Sequence, residues 1–261
     1  MEKVIKLNDT YMNVITFGKG DKNLVVIAGV SLTGFEGMNE AMERALSVFA
    51  DDFTVYVFDR KKVLTKGSTI DEMAEDIHTC LTELGVEKTS IYGASQGGMI
   101  GQTMAIKYPE MVENLVVCST ICRAKDNCKV VDLWIDVAKE HDVEKVNTLF
   151  LEYVYSDAFI ESIKDRIPEL IKNGTASDCD RLEVELEAIK TFDIFDSLDM
   201  IKCPVLVICD KNDKVFDYKN SVEIADKLNC DICIYDKYSH AVYDEAPDIK
   251  ERIVDFIISQ G

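Results

Sequence analysis

The sequence predicts an α/β fold: a doubly wound, mostly parallel sheet with one helical insertion. Three observations predict it. Short β-branched runs recur along the 261 residues, at 4–7, 12–17, 24–28, 54–58, 89–92, 115–118, 205–209 and 232–235. Amphipathic segments at helical spacing alternate with the later runs. Between 118 and 205 that alternation stops, and successive helical patterns replace it.

Each element has its own signature. The first two runs alternate apolar and polar residues, which suits an antiparallel edge hairpin. The last six are nearly continuous in apolar residues, as in strands buried on both faces of a parallel sheet. The clearest helix places Ile70, Met73, Ala74, Ile77, Leu81 and Leu84 on one face, behind a capping box of Thr69 and Glu72. Residues 39–49, 97–108, 218–228 and 248–258 read as further helices. In the insertion, 132–141, 143–154, 158–172 and 179–190 do the same, and Pro168 is expected to kink the third. The expected division is a core of residues 1–120 and 199–261 with a helical cap of residues 121–198.

Composition narrows the function. Hydrophobic residues make up 47%, enough for a sizeable core, and the net charge is −19. That charge argues against nucleic acid, because phosphate binding needs a basic face. The opening Met1-Glu2-Lys3-Val4-Ile5-Lys6-Leu7 lacks the apolar core of a signal peptide. No apolar run approaches the ~18 residues of a membrane span, so a cytoplasmic protein with no membrane partner is expected. Nine cysteines, an odd count, fit a reducing compartment. Cys118 and Cys209 read as small core hydrophobes. Cys230 and Cys233 form a C-x-x-C with no second half-site, and structural zinc needs four ligands. No metal or organic cofactor is expected, and a homo-oligomer is compatible with the composition.

Gly93-Ala94-Ser95-Gln96-Gly97-Gly98 follows one strand and opens a helix. It is G-x-S-x-G in strand–turn–helix context, and the context carries the weight of a short pattern. A nucleophilic serine needs a tight turn to project its hydroxyl. Strand and helix then pass so closely that position 93 or 97 has no room for a Cβ.

Serine also needs a base, usually a histidine oriented by a carboxylate. The chain has three histidines. His78 sits at a polar position of the 70–84 helix, and His141 ends a helix in the insertion, where a cation is favourable. His240 lies in a loop after the last strand, at the carboxyl edge where sites in open α/β sheets lie. The acid should come from the loop after 205–209, where Asp213 is the candidate, with Asp210 and Asp217 as rivals.

Taken together, these blocks resemble the α/β-hydrolase superfamily, in the branch with a helical cap. The 3-oxoadipate enol-lactonase-like and esterase-like members are the nearest in character. The resemblance is carried by Val25-Val26-Ile27-Ala28-Gly29, Phe58-Asp59-Arg60, the stretch 91–109, and Ser239-His240-Ala241 with Glu245-Ala246-Pro247. It implies the α/β-hydrolase fold, an eight-stranded mostly parallel sheet flanked by helices with an inserted cap. It implies Ser95 as nucleophile, Asp213 as acid and His240 as base, with the backbone N–H groups of Val30 and Gln96 as oxyanion donors. Ala28-Gly29 stands where the family has His-Gly, and a longer basic loop, 61–67, replaces its glycine-rich turn.

The implied function is a serine hydrolase acting on a small-molecule carboxylic ester or similar acyl bond. A lactonase or carbon–carbon bond hydrolase would use the same triad, and a non-catalytic ligand receptor is the alternative of another class. Trp134, Phe150, Tyr153 and Phe159 are the expected pocket-lining aromatics. Arg60, Lys61, Lys62 and Lys66 are expected to attract an anionic substrate.

Overall fold

The structure is a computed structural model that describes residues 1–8, 10–124 and 128–260. In chain order the core contributes β1 Glu2–Leu7, β2 Thr10–Phe17, β3 Lys22–Ile27, α1 Asn39–Ala45, β4 Phe53–Phe58, α2 Ile70–Glu83, β5 Thr89–Ala94, α3 Gln96–Lys107 and β6 Val112–Cys118. Five helices follow: α4 Lys129–Lys139, α5 Val143–Val154, α6 Asp157–Ser162, α7 Ile167–Leu170 and α8 Ala176–Lys190. The chain then re-enters the sheet as β7 Val205–Asp210, α9 Lys219–Leu228, β8 Asp231–Tyr235, α10 Val242–Glu245 and α11 Ile249–Ser259.

The eight strands form one sheet in the order β1-β2-β4-β3-β5-β6-β7-β8. β1 and β2 pair antiparallel as the expected edge hairpin, β2 joins β4 antiparallel, and every later pairing is parallel. This is the α/β-hydrolase fold. The order places the site: the chain runs outward from β3 to β4, then returns to the other side of β3 as β5. Strand order reverses there, so the loops after β3 and β5 diverge at the carboxyl edge and leave a crevice.

Burial follows the sequence pattern. Residues 89–94 of β5 and 205–210 of β7 are buried throughout. One apolar layer packs Ile77, Leu81, Met104 and Leu115 on one face of the sheet, and another packs Phe49, Val55, Ile253 and Ile257 on the other. At about 25 cal/mol per Å² of apolar surface removed from water, these layers are the main stabilising contribution. The Thr69–Glu72 capping box forms: Glu72 N–H donates to Thr69 Oγ1 at 3.2 Å and Thr69 N–H to Glu72 Oε2 at 3.0 Å.

Three expectations need correction. β8 is a half-exposed edge strand, not one buried on both faces; Ile234 is 40% exposed. Its apolar composition reflects one covered face. Residues 39–49 break after Ala45 into a short 3₁₀ turn, Ser47–Phe49, which turns Phe49 into the core. Residues 158–172 form two short helices, α6 and α7, rather than one kinked helix. Pro168 sits in the first turn of α7, where its missing N–H costs no helical bond.

Candidate active site

Ser95 stands between β5 and α3 with φ 53° and ψ −121°. A non-glycine residue there carries about 1–3 kcal/mol of strain and persists only where its surroundings hold it. Here Ser95 N–H donates to Cys118 O at 2.8 Å, and Thr120 Oγ1–H donates to Ser95 O at 2.7 Å. A Cβ on Gly97 would lie 2.0 Å from Ile27 O, so α3 crosses β3 in backbone contact. Gly97→Ala is therefore expected to destabilise the protein by about 3 kcal/mol or more, because the obstacle is backbone rather than a movable side chain. Chemical denaturation would measure it.

His240 and Asp213 come from the loops after β8 and β7. His240 Nδ1 lies 2.8 Å from Asp213 Oδ2, and both side chains are almost wholly buried. The other carboxylate oxygen, Asp213 Oδ1, accepts the N–H groups of Val215 at 2.8 Å and Phe216 at 2.9 Å. These bonds fix the carboxylate and leave Oδ2 for the imidazole. Phe216 and Tyr243 set their rings edge-on to His240, at centroid distances of 5.5 and 6.2 Å. Ala241 N–H donates to Val154 O at 2.8 Å, so the end of α5 anchors the histidine loop.

Asp210 and Asp217 accept backbone N–H groups. Asp210 is fully buried, and its carboxylate accepts Asn212 N–H at 2.7 Å, Lys237 N–H at 3.0 Å and Tyr238 N–H at 2.8 Å. It clamps the two loops together. Asp217 Oδ1 accepts Lys219 N–H at 3.0 Å, before α9. His78 stacks on Tyr108 with centroids 3.8 Å apart, and His141 Nε2 lies 2.8 Å from Asp180 Oδ1, in exposed surroundings. Neither lines the cavity that contains Ser95 and His240.

Gln96 follows the serine in the chain, and Val30 lines the same cavity as Ser95. Gln96 opens α3, where the first N–H groups have no intrahelical acceptor. Gly29 packs directly on Ser95; a Cβ there would be 3.1 Å from Ser95 Cβ and 3.7 Å from its Oγ. A buried network ties these two segments together. Arg60 Nε–H donates to Gln96 Oε1 at 2.8 Å and Arg60 Nη2–H to Ala28 O at 2.8 Å, while Gln96 Nε2–H donates to Glu185 O on α8 at 2.6 Å. Arg181 bridges Asp59 and Glu185, each at 3.0 Å. Burial lowers the Arg60 pKa and raises that of Glu185, and their mutual attraction opposes both shifts. Breaking a buried charge cluster by removing one member costs about 3–5 kcal/mol. Arg60→Met should lose that much stability, seen as a lower denaturation midpoint with an unchanged m-value.

Arg60 is thus a structural cation and not part of a basic patch. The lysines of its loop are also paired: Lys61 with Asp76 at 3.0 Å, Lys62 with Glu36 at 2.6 Å and Lys66 with Glu183 at 3.7 Å. In so acidic a chain, surface lysines find carboxylates nearby, and none of the three lines the cavity that Ser95 and His240 share.

Ser95 and His240 open into one cavity of about 420 Å³, between the loop after β3 and helices α4–α7. Trp134, Phe150 and Phe159 line it. Tyr153 does not; it packs among core hydrophobics, and its carbonyl accepts the Ser239 hydroxyl at 3.4 Å. The reason is helical phase. Asn147, Phe150, Leu151 and Val154 form the α5 stripe that faces the cavity, and position 153 lies off it. Sequence reasoning missed Tyr155, Asn147 and Arg166 in the lining, and the Arg60–Gln96–Glu185 network. The stripe was readable from the i, i+3, i+4, i+7 spacing; the network spans three distant segments and had no local signal.

Comparison with known proteins agrees with this architecture. A family model described as "alpha/beta hydrolase fold" matches residues 27–161, which include Ser95. Among curated relatives, "Putative carbamate hydrolase RutD" of Agrobacterium fabrum is 26% identical over 241 residues, covering 87% of this chain and 91% of that protein. "3-oxoadipate enol-lactonase 2" of Acinetobacter baylyi is 23% identical, covering 79% and 78%. Among solved structures, MGS-M2, an alpha/beta hydrolase enzyme from a Medee basin deep-sea metagenome library, superposes with a TM-score of 0.87 at 20% identity, covering 98% and 97%. The enol-lactonase of Burkholderia xenovorans LB400 gives 0.86 at 18% identity, covering 98% and 100%. At such identities the solved structures speak to fold. The family model spans more than half of the chain, and the protein belongs to the alpha/beta hydrolase family.

Proposed function

We propose that the protein is a serine hydrolase that cleaves a carboxylic ester or similar acyl bond through an acyl-enzyme intermediate. The observation that carries this reading is the buried 2.8 Å contact between His240 Nδ1 and Asp213 Oδ2, with His240 and the strained Ser95 lining the same cavity. Ser95 Oγ attacks the carbonyl carbon as its proton passes to His240 Nε2. The new oxyanion is held by the N–H groups of Val30 and Gln96, each donor of this kind contributing about 3–4 kcal/mol to the transition state. The tetrahedral species collapses, the C–O bond to the leaving group breaks, and His240 gives that oxygen its proton. Water then attacks the acyl-enzyme with His240 again as base, which regenerates Ser95. Asp213 holds the imidazole in the required tautomer and stabilises its cation.

In this reading α4–α8 form a cap, and Trp134, Phe150 and Phe159 shape the apolar part of the substrate site. A cytoplasmic setting suits nine free cysteines, and no helix among the described residues is long and apolar enough to cross a membrane. The same steps would open a lactone or a carbamate, the substrates in the names of two relatives. Assaying the purified protein on matched alkyl esters, lactones, carbamates and amides tests the proposal. Turnover of esters is the expected result, and a protein that hydrolyses none of these bonds contradicts it.

A further inference from the structure

The lining of the Ser95 cavity bears on the rest of the substrate. The chain has 48 Asp and Glu residues, yet among the described residues no carboxylate lines this cavity. The lining includes one fixed charge, the guanidinium-bearing Arg166; the other polar contributors, such as Ser31, Asn147, Tyr155 and Asn173, are neutral in ordinary conditions.

Arg166 lies between α6 and α7 on a constrained backbone. Its N–H donates to Ile163 O at 2.8 Å, and its carbonyl accepts Glu169 N–H at 3.1 Å and Leu170 N–H at 3.0 Å. The turn beyond α7 is tied to α5 by Asn147 Nδ2–H, which donates to Ile171 O at 3.0 Å and Asn173 O at 2.8 Å. Nearby carboxylates are engaged elsewhere: Glu161 with Lys164, and Asp157 with Lys214 at 3.3 Å. Asp165 and Glu169 flank Arg166 in sequence, but neither lines the cavity, and no described carboxylate pairs with Arg166. The loop cations Lys61, Lys62 and Lys66, by contrast, each lie near a carboxylate and do not line this cavity.

We infer that Arg166 determines specificity by receiving a carboxylate, or an anion of like geometry, at the end of the substrate remote from the scissile carbonyl. A guanidinium offers two parallel N–H donors that match a carboxylate. At physiological ionic strength the repulsion from the chain's net negative charge is screened beyond about 8 Å, so the local cation decides what the rim accepts. The inference rests on the acyl-transfer reading of Ser95.

The test uses monomethyl and dimethyl esters of straight-chain dicarboxylic acids from succinate to suberate. The wild-type protein is expected to prefer one or more of the monomethyl esters in kcat/KM, mainly through KM. Arg166→Gln should lower that preference ratio about ten- to hundredfold, the size of a lost charge-assisted hydrogen bond. Lys62→Gln, on the paired loop, should leave the ratio in place. A second measurement is independent of turnover: the Ser95→Ala protein is titrated calorimetrically with the preferred monoester, with and without Arg166→Gln. Weaker binding by about tenfold or more in the double variant supports the site. A change in ratio or affinity under about threefold, typical of an unspecific surface charge, overturns it. Unchanged turnover in Ser95→Ala would instead overturn the acyl-transfer reading while leaving the binding result to stand by itself.

Discussion

Ser95→Ala is expected to lower kcat for ester hydrolysis by about 10⁶, the scale on which serine hydrolases lose rate when the nucleophile is removed. Stability should hardly change. The bonds that hold the turn are made by the Ser95 backbone and by Thr120, not by the Ser95 hydroxyl. Alanine at φ 53° meets the same backbone strain as serine. A melting temperature within about 3 °C of wild type would accompany the loss. Residual activity near the wild-type level, in protein free of contaminating esterase, would remove Ser95 from the mechanism.

Asp213→Asn and Asp210→Asn should separate catalysis from folding. In Asp213→Asn, the amide oxygen can still accept from Val215 and Phe216, which presents the NH₂ group to His240 Nδ1. The imidazole must then accept at Nδ1 and carry its proton on Nε2, the nitrogen that has to take the serine proton. A loss of about 10⁴ in kcat follows from the wrong tautomer. Asp210→Asn places an NH₂ among three backbone donors that both carboxylate oxygens now satisfy. Its cost is an unsatisfied buried group, about 1–3 kcal/mol of stability, with a much smaller effect on kcat. Steady-state kinetics and urea denaturation on both variants check the pair. Equal kinetic damage at both positions would contradict the assignment of the acid.

Much of the fold was legible because its signals are local. Each of the eight apolar runs became a strand: the alternating first two form the antiparallel edge, and the continuous runs of β5 and β7 are apolar along their length because they are buried on both faces of the parallel part. Ser95 was legible for a related reason: the close crossing of β3 by α3 admits glycine alone at 97, and the sequence records it. Asp213 was distinguishable from Asp210 only by which loop atoms each carboxylate meets, and that geometry comes from the pairing of β7 with β8. The break between α6 and α7 was missed because a proline in a first helical turn and a proline inside a helix look alike in sequence. The basic loop misled because charge along the chain does not reveal partners across space; Asp76 and Glu183 lie on α2 and α8. Arg166 carried no signal of its own. Only the folding of α5 and α7 around one cavity separates it from other surface arginines.

The central claim is that Ser95 is an activated nucleophile served by His240. Intact-mass analysis after treatment with a fluorophosphonate tests it most directly, because the reagent needs an activated serine and no knowledge of the substrate. The account predicts one covalent adduct, mapped to Ser95 after proteolysis. The adduct should be absent in Ser95→Ala and form far more slowly in a His240→Ala variant. A protein that stays unlabelled under conditions that label a control hydrolase, or one labelled at another serine, would contradict the account.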